Sequence, residues 1–362
     1  MRNSYGYDSY RGRSGARTVL TVLAVVLLIL LLLLVGFFFF AQRYVVYYDD
    51  GSVHFEFPWS TQAQATPTPI PTPDQPVVVV TPEPTPEPTP EPVLPLLVEL
   101  PISSLTGGTA VQEVANAGGN AALFTMKAEN GHLAYVSAEG WANYAKVTQT
   151  DPDLNGAITE ALASQELYAV ARVSCFKDDD TPYYYGRSNG LRTGNGNWRD
   201  ETGSRWFSPA IPATRNYITN ICLELAALGF DEIWLDYCTF PTQGRLASIT
   251  RNAAYNDATL VQDLEGFYTQ VHDALAETYP DVKLSFTASA GLLSGAENEP
   301  SGQTLAQLTT YADRIYLTPA PEGSDYTEAL EALAFPADSL IYFGGGDLPE
   351  TAGQVLPGES GS

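Results

Sequence analysis

Between Thr18 and Ala41 the chain carries no charged residue, and leucine, valine and phenylalanine dominate those 24 positions. At about 1.5 Å per residue they make roughly 36 Å of helix, enough to cross a hydrocarbon core about 30 Å thick. Arg2, Arg11, Arg13 and Arg17 precede the run, against a single acidic residue, Asp8. A positive flank of this kind stays in the cytoplasm. The sequence therefore predicts a single-pass protein of the cell membrane, N-terminus cytoplasmic and C-terminal domain extracellular. A cleaved signal peptide is the rival reading, but its apolar core normally runs about 7–15 residues and ends in a small-residue cleavage site.

The run also restricts where a core can form. Residues 1–17 read as a cytoplasmic head, 18–41 as the transmembrane helix and 42–61 as a membrane-proximal segment. Residues 62–96 are a Pro/Thr/Glu-rich linker that includes the repeat TPEPTPEPTPEP. Proline favours extended polyproline II at about 3.1 Å per residue, so this stretch is a semi-rigid stalk of roughly 100 Å. The folded domain is confined to 97–346, and 347–362 read as a disordered tail.

Formal net charge is −24, and the segment through Arg43 holds five arginines against one aspartate, so the exported part carries −28. That excludes nucleic acid as a partner, because nucleic acid needs a basic stripe. The expected partners are the lipid bilayer, through the N-terminal helix, and a poly- or oligosaccharide; composition names no protein partner. Cys175, Cys222 and Cys238 are too few for a disulfide scaffold, and His54, His132 and His272 are scattered. No cofactor or metal is expected.

From Leu97 onward short apolar strands alternate with helical segments, the pattern of βαβ units around a parallel sheet. Strands are predicted at Leu97–Pro101, Ala121–Lys127, Tyr168–Phe176, Asp231–Tyr237, Lys283–Ser289, Arg314–Thr318 and Ser339–Phe343. The clearest helix is Pro212–Leu228, with proline in its first turn, Tyr217, Ile221, Leu225 and Leu228 at helical spacing, and Gly229 as its stop. A second spans about Asp257–Thr278. The fold class is α/β, a (β/α)8-type TIM barrel with seven of its eight strands legible.

In a barrel strand alternate residues point inward. If Ile233 and Leu235 face the helices, Trp234 and Asp236 turn inward. The same alternation turns in Thr125 and Lys127 on the second strand, Arg172, Ser174 and Phe176 on the third, and Ser285, Thr287 and Ser289 on the fifth. It also sets Cys175 and Cys238 on opposite faces. Polar side chains thus gather at the C-terminal strand ends, where barrel active sites sit. Lys127 and Arg172 are expected beside Asp236, keeping it ionised. The competing reading of the same residues is a structural ion-pair network.

The segments LGFDEIWLDYCTFP (Leu228–Pro241), ARVSCFKD (Ala171–Asp178) and NWRDETGSRWFSPAIPATRNYITNI (Asn197–Ile221) resemble motifs of the "putative glycosyl hydrolase domain" family, a barrel group distantly related to α-amylase-like hydrolases. The resemblance covers roughly Gly118–Pro321. It implies that Asp236, at the end of the fourth strand, attacks or stabilises the sugar's oxocarbenium-like carbon while a second carboxyl protonates the leaving oxygen. Asp178, on the neighbouring strand's loop, is the candidate partner. Lys127, Arg172, Lys177, Trp198, Trp234 and Tyr237 are candidate substrate contacts, although parity turns Tyr237 outward. Trp206 and Tyr183–Tyr185 are further aromatics able to stack on sugar rings, with plain packing as the alternative.

The departures mark a degenerate member. Thr125–Ala128 lack both carboxylates of the family's Asp-Val-Lys-Asp, Thr287 replaces the usual Asp, and the sixth-strand stretch Leu317–Pro321 lacks its tyrosine. One retained carboxylate cannot perform both halves of acid–base catalysis. The missing acid is left among Glu129, Glu297, Glu299 and Glu322. The expected function is a membrane-anchored, extracellular, carbohydrate-directed barrel acting as a glycoside hydrolase on cell-wall or environmental polysaccharide. The alternatives are a non-catalytic glycan-binding pseudoenzyme and a structural envelope protein.

Overall fold

A computed structural model describes residues 45–47, 53–55, 94–288, 292, 299–317, 335, 339–343 and 353–356. The chain divides into two compact units, Met1–Thr85 and Pro86–Ser362. In the first, the described residues form two short strands, Val45–Tyr47 and Val53–Phe55, paired antiparallel. The apolar run 18–41 and the Pro-rich stretch as far as residue 93 lie outside the described residues.

The second unit is built on eight parallel strands: β1 (Leu96–Glu99), β2 (Ala121–Lys127), β3 (Tyr168–Ser174), β4 (Glu232–Asp236), β5 (Lys283–Ala288), β6 (Arg314–Leu317), β7 (Leu340–Tyr342) and β8 (Gly353–Leu356). They close into a barrel in chain order, with β8 hydrogen-bonded to both β7 and β1. Seven strands fall where the alternating pattern predicts them. The eighth lies inside the stretch expected to be a disordered tail. At four residues, with glycine and glutamine in its first two positions, it has too little apolar periodicity to stand out.

Around the barrel run helices α1 (Ile102–Thr106), α2 (Ala110–Asn116), α3 (Gly140–Ala145), α4 (Leu154–Ser164), α5 (Thr181–Asn189), α6 (Pro212–Leu228), α7 (Leu260–Thr278) and α8 (Leu305–Tyr311). Helix α6 has the predicted bounds. Its proline begins it, its buried face is Tyr217, Ile218, Ile221, Cys222 and Leu225, and Gly229 ends it at φ +103°, a left-handed conformation that suits glycine. Helix α7 begins three residues later than expected and buries Leu264, Phe267, Tyr268, Val271 and Leu275.

Strand alternation sorts the core into two layers. Leu97, Ala121, Leu123, Val170, Trp234, Tyr316 and Ile341 fill the barrel interior, while Ala122, Phe124, Ala171, Val173, Ile233, Leu235, Phe286 and Ile315 face the helices. At the N-terminal end of the strands Glu232 is buried. It accepts from Tyr168 Oη (2.8 Å), Ser285 Oγ (2.7 Å), Tyr316 Oη (2.9 Å) and Arg314 Nη1 (2.5 Å). Four donors fill roughly the four acceptor positions of a carboxylate, so this charge is fully paired within the barrel.

Past the last regular residues of β3 and β4 the predicted orientations of Phe176 and of the Cys175–Cys238 pair fail. Phe176 points outward and packs edge-on against Phe267 of α7, with ring centroids 4.8 Å apart. Cys175 and Cys238 share the outer layer rather than opposite faces, and Cys238 Sγ lies 3.7 Å from Tyr268 Oη. All three cysteines are free and buried.

Candidate functional site

A cleft of about 350 Å³ opens at the C-terminal end of the strands, over Asp236 and Thr287, with walls that include Lys177, Trp206, Tyr237 and Phe343. Barrel active sites occupy this end because the βα loops, free of packing duties, converge there.

Asp236 ends β4 on its inward face and is 3% exposed. Its Oδ2 accepts from Arg172 Nε (2.8 Å) and also from Arg172 Nη2. Its Oδ1 accepts from Thr287 Oγ1 (2.8 Å) and the backbone N–H of Tyr237 (2.8 Å). Arg172 and Thr287 are the predicted inward residues of β3 and β5, and strand register carries them to Asp236. Thr287 also accepts from Trp234 Nε1 at 2.9 Å, which locks the rotamers of all three. Burial works to lower the Arg172 pKa, but the Asp236 charge and hydrogen bonds carry it above its ordinary value.

The backbone turns sharply just beyond. Tyr237 has φ +46°, rare for a bulky L-residue. This conformation breaks strand parity and turns Tyr237 into the cleft wall instead of outward. There its ring meets Trp206 edge-on at 5.9 Å, Lys177 Nζ sits 4.7 Å from its centroid, and its hydroxyl donates to Glu129 Oε1 at 3.0 Å. Burial, then the charges of Asp236 and Glu129, push the hydroxyl pKa up to about 12.

Lys177 ties the wall together, 2.7 Å from Glu129 Oε2 and 3.7 Å from Asp200 Oδ2. Burial alone works to lower its pKa, but the Glu129 hydrogen bond, followed by Tyr237 and Asp200, raises it. For Glu129 burial pushes upward, yet the Lys177 hydrogen bond and charge, the Tyr237 hydroxyl and Arg172 hold the carboxyl below its usual range. Asp200 is held low in the same manner, burial being outweighed by hydrogen bonds from Trp206, Thr202 and Ser204 and by Lys177. Both carboxyls are committed to Lys177, so the group that protonates a leaving oxygen is sought among other residues. Among the other candidates, Glu297 and Glu322 lie outside the described residues, and Glu299 begins a 3-10 turn, Glu299–Ser301. Glu201, which composition and spacing do not single out, lines the cleft as an exposed carboxyl.

Asp178 is not placed beside Asp236. It is 0% exposed and paired with Lys127 Nζ at 2.9 Å, and its Oδ1 accepts from Thr181 N at 3.0 Å. Gly131, at φ +92°, lies so close that a Cβ there would collide with Asp178 Oδ1. A carboxyl sealed this way cannot reach a sugar's leaving oxygen. The expected Lys127–Asp236 pair also fails, for one reason. The β2–β3 register shifts between Thr125 and Lys127, so Lys127 lies opposite the outward-facing Val173 and its Nζ donates to Ser174 O at 2.7 Å. For Lys127 and Asp178 the ion-pair reading holds.

Of the expected substrate contacts, Lys177 and Tyr237 line the cleft, and Arg172 lies behind Asp236, which it holds. Trp198 is buried and donates to Arg245 O at 3.2 Å. Trp234 is buried in the barrel, stacked on Tyr316 at 4.1 Å. Both tryptophans are packing residues. Trp206 does reach the cleft, and Tyr183–Tyr185 are not on its walls.

Among curated proteins no match to the chain is found. Among solved structures, a hypothetical protein from Ruminiclostridium thermocellum is similar at 21% identity and TM-score 0.43, over 52% of this chain and 96% of that one. An α-galactosidase from Lactobacillus brevis is similar at 12% identity and TM-score 0.46, over 72% of this chain and 37% of that one. The glycoside hydrolase domain of PelA from Pseudomonas aeruginosa is similar at 15% identity and TM-score 0.40, over 68% and 82% respectively. All three are distant in sequence and in superposition. The decisive match is of another kind: residues 107–339, which hold β2 to β6 with Asp236 among them, fit the family described as "Putative glycosyl hydrolase domain", and the chain belongs to that family.

Proposed function

We propose that the chain is a membrane-anchored, extracellular glycoside hydrolase whose cleft takes a saccharide from cell-wall or environmental polysaccharide over Asp236. The single observation behind this reading is a buried, positioned carboxylate on the floor of an open cleft at the catalytic end of a barrel from this family. Asp236 supplies negative charge where an oxocarbenium-like carbon develops positive charge. Direct attack by Asp236 needs one free lone pair, and the rotatable Thr287 hydroxyl is the donor able to turn away. The acid is a second carboxyl, with Glu201 on the cleft wall, Glu297 and Glu322 as the candidates. The apolar run 18–41 anchors the chain, and the linker 62–93 holds the barrel clear of the bilayer.

A second reading, glycan binding without hydrolysis, has its own support. The acceptor positions of Asp236 are filled, and Glu129 and Asp200 are both ion-paired and held low. Reducing-sugar release by the full chain in detergent, beside Asp236→Asn, separates the two. Hydrolysis predicts release that falls at least about a hundredfold in the variant, the scale seen when a charge-stabilising group is removed. Saturable saccharide binding with no release by either protein would overturn hydrolysis in favour of binding.

A further inference from the structure

We propose a second saccharide site, away from the cleft: an aromatic platform on α3 and α5 formed by Tyr144, Tyr183 and Tyr184, which takes a neutral polysaccharide strand. This rests on the carbohydrate reading of the barrel and adds a site to it. The three tyrosines are 66%, 64% and 50% exposed, and together they make an aromatic patch of the size that is often functional on a monomer. They are also ordered against one another. Tyr144 meets Tyr184 edge-on at 5.5 Å, and Tyr183 meets Tyr184 edge-on at 5.0 Å. The platform has a rigid backing, because Tyr185 stacks on Trp141 at 4.6 Å and Trp141 packs at 5.3 Å on Tyr217 of α6. Arg205 lies over one face of Tyr183 at 5.1 Å.

Area and charge choose the occupant. At about 150–250 Å² per aromatic side chain, these exposures present roughly 300–400 Å². A stable protein interface needs about 800 Å² from each partner, so a second copy of the chain is poorly served. A few sugar rings match the area. A pyranose has a C–H face ringed by hydroxyls, which complements a tyrosine's apolar ring and polar tip. The tyrosines themselves are neutral and the domain is strongly acidic, so an uncharged polymer fits better than an anionic one. Helices α3 and α5 lie in the connections leaving β2 and β3, at the barrel end that also carries the cleft. A polymer held there is presented to that end.

The test is native affinity electrophoresis of the full chain in detergent, with mixed-linkage β-glucan and galactomannan in the gel as probes. The comparison is with a Tyr144→Ala, Tyr183→Ala, Tyr184→Ala triple variant and its Tyr→Phe counterpart. Affinity for at least one polymer is expected to fall about tenfold or more in the alanine variant and to stay within about threefold in the phenylalanine variant. Thermal midpoint, and binding or turnover of short oligosaccharides at the cleft, stay unchanged in both. Equal retardation of parent and alanine variant would overturn the platform while leaving the cleft reading intact. A self-association of the parent that the alanine variant loses would assign the surface to a second copy instead. Retardation lost in the alanine variant, without any turnover by the parent, would keep the platform and remove hydrolysis. A parent that binds neither polymer nor oligosaccharide removes both.

Discussion

At the scale of single residues, two carboxylate–cation pairs that the strand pattern joins into one group have separate fates. Lys127–Asp178 is sealed, while Arg172 holds an Asp236 that faces the cleft. Removing one partner of a buried pair leaves an uncompensated charge, which costs about 3–5 kcal/mol, whereas replacing both with apolar groups is often nearly neutral. Lys127→Met alone is expected to lower urea stability by that amount, and adding Asp178→Leu to restore most of it. Purely additive losses would show that the two do not act as a pair. Lys177 carries a second expectation, in pH. Glu129 and Asp200 have folded pKa values below their unfolded ones, so their contribution is present above about pH 4–5 and lost as pH falls through the folded values. Lys177 has a raised folded pKa, so its contribution is complete below about pH 10 and lost at higher pH. The stability gap between parent and Lys177→Met should therefore be widest between about pH 5 and 10 and narrow at both ends. A gap independent of pH would show that Lys177 acts by packing alone. Burial raises Asp231 and Glu139 instead, so the gap, rather than the parent's own acid curve, is the informative quantity.

At the scale of elements, closure of the barrel depends on its least legible strand. Beta-strand β8 pairs with β7 through Gly353 and Gln354 and with β1 through Gln354, Val355 and Leu356. Gly353 is there because nothing larger fits: a Cβ would meet Pro95 Cγ and Pro95 O at 2.8 Å and Ile341 Cγ1 at 3.0 Å. A chain ended after Gly346 exposes the edges of β1 and β7, and unpaired edges invite association. Such a chain is expected to aggregate or to lose its cooperative thermal transition. A monomer with the parent's midpoint by size exclusion and melting would contradict the closed barrel. The bulge in β2 is the other element-level decision. One residue of slip moves Lys127 from the barrel interior to the helix layer, because side chains alternate with a period of two.

At the scale of the whole molecule, the charge asymmetry and the apolar run make a topological statement that cells can test. With the linker 62–93 outside, protease added to intact cells is expected to cut it and release a soluble fragment carrying the barrel. Full-length chain resistant until the cells are broken would put the barrel on the cytoplasmic side. The closed barrel leaves the C-terminal loops free to build a site, and in this chain those loops carry the cleft and both platform helices.

What the amino-acid sequence determined by itself is whatever rests on local periodicity: seven strands, α6 to the residue, and the inward set Arg172, Trp234, Asp236 and Thr287. Its motif residues also sufficed to identify the family. Hydrophobic alternation survives in any context that buries one face, so it can be read without the partner strand. The tertiary structure decided everything that depends on register, turn conformation or surroundings. The β2 bulge chose Asp178 as the partner of Lys127, and the left-handed Tyr237 brought an apparently outward side chain into the cleft. Burial turned Trp198 and Trp234 from candidate sugar contacts into core. Strand β8 could be recognised only by the gap it fills between β7 and β1. These are properties of pairs of segments distant in sequence, and no window along one of them contains the other.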